Sequence, residues 1–495
     1  MGDGGTTRKD LDATLTSYLQ SWGLREFHDE VAYYEWQRGT LSSQDLQLLQ
    51  SLVEHRQGGE NEQADIQFYN LLAKQPLLAV IYSQRFDYFR QIGLCLSPRV
   101  ASARHVLDFG CGVGILTCWF AQQHPDLQFV GIDRSSRSIE MAQEEANRRH
   151  LRNVQFRVSK KLDVQAGDIF DCILSTQALL QSEREPGLPS RDWRTFEREH
   201  QRSQQEDLET RTGLNSRLAY CLQVLSPHGR IICFEKTWNL GRRIFFQRAL
   251  SAKNLFPICD PIPCSYHELG ESRIDGPLYE LSRFQVPQPY PWNEAPFVGE
   301  GETLYRCVGD LAERMSRELE TSQDQEIVRG QHASFGPWSF RYGVWEEALA
   351  WGLCETASGF YGLLLASERE KSLIAQVFEN IGHLTESDFA ESLKNGWGVS
   401  RAVCGNEPTP GYENHFPSAE EVYKALPRKI IQQESTFSGE KGREMHIEVG
   451  TTNTFRYLYW ANTFDQRQLI LTDEKGAEML NEYYQESIAA TQKPS

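Results

Sequence analysis

The chain has 495 residues, 51 Lys and Arg against 68 Asp and Glu, a formal net charge of −17, and 40% apolar and 11% aromatic residues. That apolar content excludes a disordered chain, and the length exceeds one ordinary core, so two or three domains are expected. The acidity argues against a nucleic-acid partner, because Arg148-Arg149, Arg242-Arg243 and Lys160-Lys161 are too short to make a basic patch.

Residues 1–10 are rich in Gly and Thr and are expected to be disordered, the first part of an N-terminal helical segment over residues 1–95. A serine cap before Asp45, Leu46, Leu48 and Leu49 marks one helix start, and Gln57-Gly58-Gly59-Glu60-Asn61 breaks the run. Phe68, Tyr69, Leu71, Leu72, Tyr82, Phe86 and Phe89 follow at roughly helical spacing, either as a lid over a ligand or as packing on a sheet.

A central domain is expected over residues 96–287. The strand His105–Phe109 runs into Gly110, Gly112 and Gly114, and Ile115–Ala121 reads as a helix. A Gly-rich turn between strand and helix lets a ligand meet bare backbone near the positive helix end. Leu127–Ile132 reads as a second strand ending in Asp133, 19 residues beyond Gly114, where a doubly wound fold puts the acid that grips ribose hydroxyls. A dinucleotide turn wants G-x-G-x-x-G/A, but the sixth position is Ile115 counted from Gly110 and Thr117 counted from Gly112, which argues against a nicotinamide enzyme.

Asn153–Val158 reads as strand three, Ile169–Ser175 as strand four, and Leu225–Glu235 as a turn and strand five. Between strands four and five lies a charged insert, residues 182–211, whose second half from Trp193 to Glu209 reads as a solvated helix. It is either a cap on the ligand edge of the sheet or a tolerated surface excursion. A helix over 242–254 and two strands over 264–271 and 277–284 follow. Pro287, Pro289, Pro291 and Pro296 mark a boundary. Residues 288–495 then read as a C-terminal α+β domain, with a mixed segment from Trp338 to Ala366, strands at 446–449, 454–460 and 468–471, and a closing helix over 473–486. It binds an acceptor, makes a homodimer or buttresses the first domain.

Eleven cysteines show no C-x-x-C pair, and Cys259 and Cys264 lack a matching second pair, so no metal site is expected. Cys111, Cys118, Cys172 and Cys233 lie on apolar segments and read as buried thiols of a reducing compartment. No apolar run is long enough to cross a bilayer and no basic-then-apolar leader opens the chain, so a cytoplasmic location is expected. Met1–Thr6 fits a myristoylation pattern without a polybasic partner.

The G-x-G-x-G turn with Asp108 before it, Asp133 after strand two, the Phe170-Asp171 signature of strand four and the Leu225–Glu235 element together resemble the class I S-adenosylmethionine-dependent methyltransferases. The resemblance spans residues 75–287. It implies a Rossmann-like α/β fold with a seven-stranded, mostly parallel sheet, and S-adenosyl-L-methionine as cofactor. The implied cofactor contacts are Asp108, Gly110, Cys111, Gly112, Gly114, Asp133, Arg134 and Ser175. One departure concerns adenine: the acid the family places after strand three is replaced near Ser159-Lys160, with Asp163 three residues on.

Ser175-Thr176-Gln177 should face the methyl acceptor. The Asp/Asn-Pro-Pro-aromatic motif of nucleobase amino methylation is absent, as are the Pro-Cys nucleophile of cytosine-C5 enzymes and the paired-glutamate hairpin of arginine methyltransferases. A small-molecule or protein acceptor remains. Candidates for a general base are His267, Glu268 and Glu235, although a nucleophilic acceptor needs none. The alternative is a catalytically silent scaffold that keeps the fold.

Overall fold

The computed structural model describes residues 8–58, 62–284 without 160, 161, 163, 166 and 182–184, then 292, 294–295, 302–308, 326–332, 336–345, 349–356, 360–367, 399–400, 423–424, 426–438, 443–452, 456–472 and 477–492. Lys160 and Asp163, two of the residues expected near adenine, lie outside the described residues. The chain divides into two compact units, Met1–Pro186 with Gln201–Asn293, and Gly187–His200 with Glu294–Ser495.

Six helices open the first unit: α1 Arg8–Ser21, α2 Glu30–Thr40, α3 Ser43–Gly58, α4 Glu62–Leu72, α5 Leu77–Ser83 and α6 Phe86–Val100. Arg8–Asp10, expected to be disordered, already belong to α1. The sheet unit follows as β1 His105–Phe109, α7 Ile115–Gln123, β2 Gln128–Asp133, α8 Ser136–Arg148, β3 Val154–Val158, β4 Phe170–Thr176, α9 Arg202–Arg211, α10 Leu214–Val224, β5 Leu225–Phe234, α11 Leu240–Ala252, β6 Phe256–Pro257, β7 Ile262–Glu268 and β8 Glu271–Ser282.

The sheet order is β3-β2-β1-β4-β5-β8-β6, with β7 paired to β8. The first five strands are parallel and the rest antiparallel. The expected seven strands become eight, because the two-residue β6 pairs with Leu281 and Ser282. Strands β1 and β4 and the end of β5, Ile231–Phe234, are almost wholly buried, as central parallel strands covered on both faces must be. Asp171 of the Phe-Asp signature accepts from the backbone N–H groups of Arg104 and His105, and so pins the start of β1 against β4.

The N-terminal helices pack on the sheet, one of the two roles expected of them. Leu15, Leu19, Phe86, Tyr88 and Ile92 join the core of the sheet with Trp119 and Phe120. Tyr33, Leu49, Phe68, Leu72, Leu77 and Val80 form a second core of their own.

The second unit is built of β9 Glu302–Val308, β10 Glu326–His332, β11 Gly336–Trp345, β12 Leu349–Thr356, β13 Phe360–Ser367, β14 Val399–Ser400, β15 Lys429–Ser438, β16 Arg443–Thr451, β17 Arg456–Asn462, β18 Arg467–Thr472 and a final helix α12 Ala477–Gln492. One sheet runs β10-β11-β12-β13-β14 and the other β15-β16-β17-β18-β9. The described residues from Trp338 to Ala366, expected to mix helix and strand, form three antiparallel strands.

Strand β16 is buried on both faces from Met445 to Gly450. Met445, Ile447 and Val449 pack with Leu480 and Tyr484 of α12. His446 and Glu448 alternate to the opposite face, and part of the insert covers them. The expected helix over 193–209 therefore starts only at Arg202. Residues 187–200 are irregular chain packed into the second unit, with Leu188, Ser190, Trp193 and Arg198 buried. The first half of the insert is thus not a free surface loop.

Candidate functional site

The site grows from the turn between β1 and α7. Gly110, Gly112 and Gly114 have φ of 78°, 53° and 78°, the left-handed region that side chains rarely adopt. The flanking glycines are needed for packing: a Cβ on Gly110 would lie 2.2 Å from Ala178 Cβ, and one on Gly114 would lie 2.9 Å from both Ala142 Cβ and Phe156 Cζ. At Gly112 a Cβ would meet nothing within 4 Å. The middle of the turn therefore presents bare backbone to open space, the kind of cradle a nucleoside ligand requires. The turn is tied down by Gly110 and Cys111, whose backbone N–H groups both donate to Ile132 O at 2.9 and 3.0 Å. Burial pushes the Cys111 thiol well up, so it stays protonated.

Asp133 closes the cradle. Its Oδ2 accepts from Gly112 N at 3.1 Å and its Oδ1 from Ser135 N at 2.8 Å. Burial raises its carboxyl, while Ser135, Gly112 and the charge and backbone N–H of Arg134 pull it back. Asp108 lies behind the turn and accepts from Thr117 Oγ1 at 2.5 Å. Burial raises its carboxyl to about 6 against the pull of that hydroxyl. The N-terminal helices reach the same place. Asn70 accepts from Ser135 Oγ at 2.8 Å and from Arg137 N at 3.3 Å. The Tyr82 hydroxyl is buried near Asp133 and Cys111. Asn70 and Tyr82 carry no motif, and only the packing of α4 and α5 brings them to the turn.

At the carboxyl end of β4 the roles differ from those expected. Ser175 is fully buried and donates to Glu235 Oε1 at 3.0 Å. The same carboxylate accepts from the backbone N–H groups of Ala178, Leu179 and Leu180 at 3.2, 3.0 and 3.2 Å. Glu235 is fully buried, and its carboxyl is pushed up to about 7 by burial against these donors. Both of its oxygens are occupied in holding the loop after β4, which is a positioning role and not that of a base facing an acceptor.

That loop presents Gln177, in the left-handed region at φ 56°. Its Oε1 accepts from Arg85 Nη2 at 2.7 Å, and its amide nitrogen donates to Asp275 Oδ2. Tyr266 OH donates to the same Asp275 oxygen at 2.7 Å. Strand β7 alternates, so Tyr266 is buried while the side chain of His267 is 67% exposed and lies 3.4 Å from Asp87. Glu268 shares the inward face with Tyr266, adds to the charge felt by Arg85, and pairs with Arg273 at 3.5 Å. Of the three candidate bases, Glu235 is spent on the loop after β4, the side chain of His267 faces outward, and Glu268 lies in the field of Arg85. Gln177 was expected at the acceptor edge from its place after strand four, whereas Arg85 and Asp275 were not separable by sequence, since polar residues on helix starts and hairpins carry no periodic signal.

A family model described as "Methyltransferase domain" matches residues 101–232. The chain is 28% identical over 144 residues to the release factor glutamine methyltransferase of Aliivibrio fischeri, covering 28% of this chain and 50% of that protein. It is 30% identical over 80 residues to (S)-coclaurine N-methyltransferase of Thalictrum flavum subsp. glaucum, covering 16% of this chain and 22% of the other. It is 37% identical over 82 residues to ribosomal RNA large subunit methyltransferase G of Pseudomonas syringae pv. tomato, covering 16% and 21%. The chain spans half or less of the length of these curated relatives. Among solved structures, the N-methyltransferase NodS from Bradyrhizobium japonicum in complex with S-adenosyl-L-homocysteine is 16% identical, with a TM-score of 0.27 over 38% of this chain and 83% of that one. No helix among the described residues is long and apolar enough to cross a membrane.

Proposed function

Because residues 101–232 carry a methyltransferase domain of the class I S-adenosylmethionine-dependent family, we propose that this chain transfers a methyl group from S-adenosyl-L-methionine to a small-molecule or protein acceptor. The observation that carries the reading is the turn at Gly112: left-handed backbone facing open space, with Asp133 bonded to its N–H. Gly110, Cys111, Gly112 and Gly114 would give the cofactor its backbone cradle, and Asp133 would accept from the ribose hydroxyls beside Arg134. Asp108 would set the shape of the turn from behind through Thr117. When bound, the cofactor supplies an electrophilic methyl on a sulfonium.

The chain's own task is then positioning. Glu235 holds the loop after β4 through four hydrogen bonds, and so holds Gln177 toward Arg85 and Asp275. The names of the relatives span a release factor glutamine, (S)-coclaurine and ribosomal RNA. A net charge of −17 weighs against the last of these.

Calorimetry with S-adenosyl-L-homocysteine tests the reading. The native chain should bind, and Gly112→Val should lose binding while its circular dichroism keeps the sheet. A native chain that does not bind is a scaffold and not an enzyme of this class.

A further inference from the structure

We propose that Asp275 is the anchor of an ammonium subsite, so that the acceptor is a molecule that carries a protonated amine. The inference rests on the methyltransferase reading and names the acceptor class for it.

Three elements meet at this point. The end of β4 and the loop after it bring Thr176 and Gln177, the start of α6 brings Arg85 and Tyr88, and the β7–β8 hairpin brings Tyr266 and Asp275. The place lies beyond the carboxyl ends of parallel strands β4 and β5, where open α/β sheets take their ligands. Asp275 is fixed there by its backbone, whose carbonyl accepts from Thr237 N and Trp238 N at 2.7 Å each.

The charge balance then decides the ligand. Asp275 is half-buried. Its Oδ2 takes two neutral donors, the Gln177 amide and the Tyr266 hydroxyl. Among the described residues its Oδ1 has no hydrogen bond and its carboxylate no ion pair. Arg85 is close but does not neutralise it, because the Gln177 amide stands between them and bonds to each. The guanidinium instead lies 3.8 Å from the centroid of the Tyr88 ring. Tyr88 and Tyr266 pack edge to face at 5.2 Å, so the carboxylate is bordered by aromatic rings.

A half-buried carboxylate held only by neutral donors is costly until a counter-charge arrives. A cation gains from the carboxylate and from aromatic faces together. A carboxylic acid would be repelled, and an alcohol would leave the charge uncompensated. The subsite therefore selects a protonated amine.

The test uses the full chain saturated with S-adenosyl-L-homocysteine and three matched probes, phenethylamine, 2-phenylethanol and phenylacetate, titrated by calorimetry. The amine should bind at least about tenfold more tightly than the alcohol, and the acid more weakly than either. Asp275→Asn should erase the preference for the amine while homocysteine-product binding is kept. In the native chain the preference should fade as pH rises past the amine's own ionisation near ~10, which tests the subsite without any variant. An alcohol or acid that binds as well as the amine overturns the proposal, as does a preference that survives in Asp275→Asn. Loss of S-adenosyl-L-homocysteine binding with the amine preference intact would overturn the cofactor reading and leave the subsite standing.

Discussion

The indole of Trp193 lies flat on the imidazole of His446, with ring centroids 3.8 Å apart and planes 3° from parallel. The contact joins a residue of the insert after β4 to the middle of β16. Around it, His446 Nε2 lies 3.1 Å from Glu448 Oε2, and Tyr457 OH donates to Glu448 Oε1 at 2.9 Å. Burial alone would raise the Glu448 carboxyl, but its bonds with His446, Tyr457 and Tyr423 bring it below its ordinary value. Arg198 of the insert forms a fully buried ion pair with Asp465, and Ser190 N donates to Thr463 O at 2.6 Å.

Trimming residues 184–205 to a short linker is cheap in closure entropy, and the sequence alone suggests that the fold would survive it. The packing says otherwise. Removing this segment uncovers His446 in the middle of β16 and leaves Asp465 without its buried partner. Trp193→Ala should lower the stability of the second unit by about 3–5 kcal/mol, and Arg198→Ala by a similar ~3–5 kcal/mol. Denaturant unfolding followed by tryptophan fluorescence and by near-ultraviolet circular dichroism reads this out. Affinity for S-adenosyl-L-homocysteine should not change, since no cofactor contact lies in the insert.

Gly112 and Gly114 should respond in opposite ways to the same substitution. Alanine at Gly112 has room and suffers only left-handed strain, roughly 1–2 kcal/mol. At Gly114 the same strain adds to clashes with Ala142 and Phe156, for roughly 3 kcal/mol or more. Melting temperature should fall more for Gly114→Ala. Ligand affinity corrected for unfolding should fall more for Gly112→Ala. A reversed order would mean that the open space at Gly112 is not the ligand cradle.

Asp133→Ala should affect both the free and the liganded protein. The carboxylate already receives Gly112 N and Ser135 N, so the free protein should lose about 1–3 kcal/mol. Affinity for S-adenosyl-L-homocysteine should drop at least about tenfold through the lost ribose contacts. Thermal melts with and without ligand separate the two effects. Equal ligand-induced shifts in parent and variant would remove Asp133 from the site.

Glu235 should leave a signature in stability against pH. Its carboxyl is near 7 when folded, against an ordinary value of 4.5. The folded state then holds more protons than the unfolded state between these values. Its contribution is therefore full below about 4.5 and is lost as pH rises through 7. The loss amounts to about 3 kcal/mol on conversion of that shift. Asp108, near 6 when folded, acts in the same direction, so the informative quantity is the difference between parent and Glu235→Gln. The variant should show a flatter profile from pH 5 to 7, at the cost of the bond from Leu180 N, which its amide nitrogen cannot accept. A slope unchanged in the variant would mean that Glu235 does not titrate in this range.

The sequence by itself determined the parallel core and the place of the glycine turn. Strands β1, β2 and β4 are short, mostly apolar runs, and Gly110, Gly112 and Gly114 announce left-handed backbone within five residues. These signals are local: a residue's φ and a strand's burial depend on near neighbours. Asp133 was legible for the same reason, by its place at the end of β2. The tertiary structure alone decided that Glu235 clamps a loop some sixty residues away, that Gln177 separates Arg85 from Asp275, and that residues 187–200 of the insert belong to the second unit. Each of these joins side chains from distant elements through directional hydrogen bonds or ring stacking. Such contacts leave no period in the chain, because they arise only once the strands have set the distances between those elements.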